Sequence, residues 1–188
     1  MSLTRVATVY IRSFRPKARA ELGWFRQQPS LEAAIRLAAL AVNSEGKRYS
    51  HQRRLKHAAL ERARRLLLRA KREIRGAANF DGLIHLVHAI TEPIPGIGEL
   101  YVYDTSLRIG AYRGFLPKRV YLHAGTRIGA RQLGLDPTAD SLPVSVIPSE
   151  LRRLRPHEIE DVLCIFKDRL GKEGPSRPQL TLGRSWCD

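Results

Sequence analysis

The chain has 188 residues, a formal net charge of +15 and a pI near 10.7, with 43% hydrophobic and 27% charged residues. That length supports one domain with a real core, and no apolar run reaches the roughly 20 residues that cross a bilayer. Two cysteines, Cys164 and Cys187, exclude a disulfide framework and a zinc-finger spacing.

So strong a positive field concentrates polyanions. DNA, RNA and an anionic membrane surface are the partners it suits, with a merely solubilising cationic surface as the plain alternative. The N-terminus lacks a signal-peptide pattern, so the expected location is the cytoplasm.

In chain order, Val6, Thr8, Val9, Tyr10 and Ile11 predict a strand. Its partners on offer are short, at 144–147 and 179–182. Arg12, Arg15, Lys17 and Arg19 continue it as a basic connector, so 5–19 is read as strand and connector. Residues 30–43 predict a helix, with Ser30 as N-cap and Leu31, Ile35, Ala38 and Val42 at helical spacing.

Residues 50–75 predict the longest helix. Leu55, Ala59, Ala63, Leu66, Leu67, Ala70 and Ile74 form its apolar stripe. Residues 53–75 carry ten arginines and lysines against two glutamates, Glu61 and Glu73. Like charges at i,i+4 destabilise a helix, so one sign kept over this length points to a polyanion rather than to an ordinary solvated face.

Residues 80–90 predict another helix, with Leu83, Leu86, Val87 and Ile90 inward. Asp81, His85 and His88 share its other face at spacings that suit a metal. No fourth ligand accompanies them, so they are read as exposed polar side chains. A helix at 99–113 is expected to turn Leu100, Tyr103, Leu107 and Ala111 inward. Pro117 suits the start of a short helix at 118–123. Thr126 is read as the cap of a helix at 127–133, with Gly134 just past its end. A loop at 136–148 leads to a closing helix at 156–170, and 173–188 reads as a tail.

Between the helix patterns at 80–90 and 99–113 lies Ile94-Pro95-Gly96-Ile97-Gly98. Residues 89–113 resemble the helix-hairpin-helix proteins, which hold a Pro-Gly-hydrophobic-Gly turn between two helices. The resemblance implies that N–H groups at Gly96 and Gly98 hold nucleic-acid phosphates without reading sequence. Glu99 puts a negative charge at the exit of this turn. The Gly125-Thr126-Arg127 turn repeats the plan, with Lys118, Arg119 and Arg131 nearby.

Asp104-Thr105-Ser106-Leu107-Arg108, with Arg113-Gly114 beyond, is similar to the Asp-Thr segment of helix-hairpin-helix DNA glycosylases. In that family the aspartate acts on a base flipped from the stack. Carried over, Asp104 is the catalytic residue. Unlike in that family, it falls within the hairpin's own second helix, and no lysine nucleophile follows the turn. The plain alternative is an i,i+4 ion pair between Asp104 and Arg108.

These readings predict a mainly α protein with helix-hairpin-helix-like turns at 80–134 and a small accessory β element, in one domain over 1–172. Nucleic acid, DNA ahead of RNA, is the expected partner, held by its backbone phosphates. The expected contacts are Arg53, Arg54, Arg64, Arg65, Gly96, Gly98, Arg108, Arg113, Lys118, Arg119, Gly125, Thr126, Arg127 and Arg131. A glycosylase-like enzyme using Asp104, and an RNA- or protein-interaction module, are the alternatives. No cofactor, metal or membrane partner is expected, and the oligomeric state is open.

Overall fold

A computed structural model describes residues 1–171. Among these the protein is mainly α: nine α-helices and one two-stranded antiparallel sheet. No helix among them is long and apolar enough to cross a membrane. The reading of a strand at 179–182 and of a tail at 173–188 lies outside the described residues. The described residues divide into two compact units, one of residues 1–17 with 118–171, the other of Ala18–Pro117.

The first unit opens on α1 (Leu3–Ser13), where the sequence predicts a strand. Ser2 caps it, its hydroxyl accepting the Arg5 N–H. Val6, Ala7 and Tyr10 are buried, with Leu3 and Phe14 packed against the same core. Positions 3, 6, 7, 10 and 14 share one helical face. Tertiary burial of that face outweighs the strand preference of its β-branched residues.

The predicted helix at 118–123 is instead β1 (Val120–Tyr121), paired with β2 (Ser141–Leu142). Val120 and Leu122 are buried and Tyr121 between them is not, the two-residue period of a strand. The predicted strand at 144–147 is a single 3-10 turn, Val144–Val146. Next to β1 in the chain stands α8 (Ala124–Gln132), and α9 (Pro156–Ile165) packs on both. Gly129 makes the helix packing close: a Cβ there would overlap the Leu163 carbonyl. Gly134 follows α8 with φ of +69°, as its place past the helix end requires.

α2 (Arg15–Arg26) carries the chain into the second unit and replaces the expected basic connector. There α3 (Leu31–Ala39) is capped by Ser30, whose hydroxyl accepts the Ala33 N–H at 3.1 Å. The predicted single helix at 50–75 is three pieces: a 3-10 turn at Ser50–Gln52, α4 (His57–Arg69) and α5 (Lys71–Gly76). The break at Ala70, where ψ is 21°, turns α5 so that it reaches both α3 and α6.

α6 (Phe80–Thr91) is capped by Asn79, and α7 spans Glu99–Arg113. α7 is the centre of this unit and packs against α3 and α6. Tyr101, Val102, Tyr103, Thr105, Ser106, Arg108, Ile109, Gly110 and Ala111 are all buried, a wider set than the single stripe expected. Leu100 and Leu107, expected inside, are only partly buried. Small residues allow the close packing: a Cβ on Gly110 would stand 2.7 Å from the Phe115 carbonyl and 3.3 Å from the Phe80 ring. The turn between α6 and α7 has Gly96 at φ +87°, a conformation that favours glycine. Ile94 and Ile97 pack under it against Ala59, Leu60, Ala63 and Tyr101.

Candidate nucleic-acid interface

α4 sorts its residues cleanly. Ala59, Leu60, Ala63 and Leu67 are buried, and Arg62, Arg65 and Arg69 are exposed. These arginines lie at i, i+3 and i+7, one row of about 10 Å along the helix axis. Arg53 and Arg54 are exposed on the turn before α4, and Arg72 and Arg75 on α5. None of these seven side chains hydrogen-bonds or ion-pairs with another described residue. Arg64 is different: it pairs with Glu61 at 2.8 Å.

Behind the Arg53–Arg54 turn lies a buried polar network. Asp104, on α7, accepts at one oxygen, Oδ2, from three side chains: His51 Nε2 at 2.7 Å, Gln52 Nε2 at 2.8 Å and Arg108 Nη2 at 3.0 Å. Arg108 also donates from Nη1 to Gln52 Oε1 at 3.1 Å. Its guanidinium carbon lies 3.9 Å from the centre of the Tyr49 ring. Tyr49 donates its hydroxyl to Glu21 Oε2 at 2.7 Å, and burial raises the Tyr49 pKa against the opposing charge of Arg108. It therefore stays a phenol, a donor, across the ordinary pH range. Acceptance by the carboxylate fixes the hydrogen on His51 Nε2, and His51 Nδ1 is buried with no partner.

The i,i+4 pairing of Asp104 with Arg108 is present as an ion pair. Its depth is new: Arg108 is 6% exposed. A buried guanidinium needs this much partnering, since an unpaired buried charge is costly. Sequence spacing offers no signal for His51, Gln52, Tyr49 or Glu21, which stand more than 50 residues from Asp104.

The other expected contacts are placed as follows. Gly96 and Gly98 lie exposed in the turn, with Glu99 exposed at the first position of α7. Arg113 turns back to cap α5, donating to the carbonyls of Ile74 and Arg75.

In the first unit, Arg119 donates to the Ser141 hydroxyl and carbonyl across the sheet, and Arg127 to the carbonyls of Pro137 and Ala139. Thr126 is fully buried, the third residue of α8 rather than its cap. His123 is the cap, in a reciprocal box with Thr126, and its Nε2 meets Glu160 at 2.5 Å. Gly125 lies against the fold, where a Cβ would stand 2.9 Å from Cys164 Sγ. Lys118 and Arg131 are exposed.

His85 and His88 are exposed on α6. Among the described residues no cluster of three or more His, Cys, Asp or Glu side chains could hold a metal.

No family model, curated protein or solved structure matches the chain. The functional reading therefore stands on the placement of these residues.

Proposed function

We propose that the protein binds nucleic acid, DNA ahead of RNA, through backbone phosphates and largely without reading sequence. One observation carries this reading: Arg62, Arg65 and Arg69 form an exposed row on α4, flanked by Arg53, Arg54, Arg72 and Arg75, and none is engaged with another described residue. Holding so many like charges together without acidic partners costs stability, and a polyanion offsets that cost. The exposed Gly96–Gly98 turn belongs to the same unit and is a secondary contact, because Glu99 opposes a phosphate there.

Arginines that meet only phosphates position the chain on the nucleic acid and carry no sequence information. Charge reversal by Arg65→Glu with Arg69→Glu is then expected to weaken binding to DNA duplexes of unrelated sequence by the same factor. A loss confined to one sequence contradicts the reading.

A further inference from the structure

Arg53 and Arg54 stand on irregular backbone between a 3-10 turn and α4. Ordering such a segment costs backbone entropy at every residue, so an arginine there contributes fully to binding only if something else has fixed the turn. Main-chain bonds fix part of it, with the Arg53 N–H donating to Ser50 and the Leu55 N–H to Gln52. The rest is fixed by side chains. Before Arg53, Tyr49 is tied to Glu21 and lies under Arg108, His51 is tied to Asp104, and Gln52 to both Asp104 and Arg108. Asp104 Oδ2 is the point where these ties meet.

We propose that Asp104 is a positioning residue for phosphate contacts made by Arg53 and Arg54: through His51 and Gln52 it holds the 3-10 turn that presents them. The inference rests on the functional reading above. It gives Asp104 a role other than acting on a flipped base. It also accounts for a carboxylate beneath a surface that receives phosphates, since Arg108 neutralises it at 3.0 Å.

The test is a cycle of variants of the full chain, titrated with a fluorescein-labelled DNA duplex. Losing a negative charge by itself tightens polyanion binding. The positioning role predicts the opposite: Asp104→Asn weakens binding about fivefold, because the turn loses its preorganisation. In an Arg53→Gln, Arg54→Gln background the same change costs less than about twofold, and in an Arg65→Gln, Arg69→Gln background it again costs about fivefold.

A folded Asp104→Asn protein with unchanged or tighter binding overturns the proposal, as does a fivefold loss that persists without Arg53 and Arg54. Should Asp104→Asn fail to fold, His51→Leu, which removes the donor that His51 supplies to Oδ2, runs through the same cycle with the same criteria. A wild-type chain with no salt-dependent affinity for the duplex removes the functional reading and this proposal together. Salt-dependent wild-type binding without the coupling removes the proposal alone.

Discussion

His51 Nε2 and Asp104 Oδ2 are 2.7 Å apart although 53 residues separate them in sequence. The bond joins the turn before α4 to the central helix of its unit. Gln52 and Arg108 share the same oxygen, so the group behaves as one buried ion-pair network. Breaking such a pair from one side leaves the other charge uncompensated. Asp104→Ala is expected to lower stability by about 3 kcal/mol, and Asp104→Leu with Arg108→Met by clearly less. Urea unfolding of the two proteins checks this; equal losses would mean that Arg108 is not held in place by Asp104.

Close packing in the first unit depends on Gly129 in the same way. A Cβ there overlaps the Leu163 carbonyl on α9, and backbone cannot swing aside as a side chain can. Gly129→Ala is expected to cost about 2 kcal/mol or more, as overpacking does. Gly125→Ala meets Cys164 Sγ at 2.9 Å and is expected to cost less, because that contact is looser than the 2.2 Å at Gly129. Thermal melts of both variants measure the order.

Glu158 gives the first unit an acid-sensitive contact. It is 1% exposed and pairs with Arg15 at 2.8 Å, while its Oε2 also accepts the Arg155 N–H at 2.9 Å. Burial works against its charge, but the Arg155 N–H and the Arg15 guanidinium outweigh that and hold its carboxyl below the usual glutamate range. A depressed folded-state pKa contributes stability above the unfolded value of about 4.3, and that contribution is lost as pH falls through the folded value. Stability of the wild type should therefore drop more steeply below about pH 4 than that of Glu158→Gln. Parallel slopes in acid unfolding would contradict this.

Ser30 and Asn79 are side-chain caps of α3 and α6. Replacing either by Ala is expected to cost about 1 kcal/mol, readable as a lower urea midpoint at unchanged slope.

What the sequence reveals here follows from the range of each signal. α7 is legible in its extent, because it follows the glycine turn at Gly96–Gly98 and its pattern is local. Ser30 is legible as a cap, and Asp104 with Arg108 as a pair, because both are contacts within one turn. α1 is misread because residue preference and burial period disagree there, and burial decides. The break at Ala70 carries no proline or glycine to announce it. His51 is an isolated histidine in the sequence, and its partner on α7 is set by tertiary packing alone. The arginine row on α4 is legible as a charge pattern, but which arginines stay exposed is not. Arg64, Arg108, Arg113, Arg119 and Arg127 look like the others in sequence and are bonded within the fold.

The most direct test of the nucleic-acid reading is the salt dependence of duplex binding in the wild type and in Arg62→Gln, Arg65→Gln, Arg69→Gln. Each phosphate neutralised contributes about −0.9 to the slope of log affinity against log salt, so losing three contacts should flatten that slope by about 2.7. A wild-type affinity that barely changes between about 50 and 200 mM salt, or a triple variant with the wild-type slope, would contradict the account.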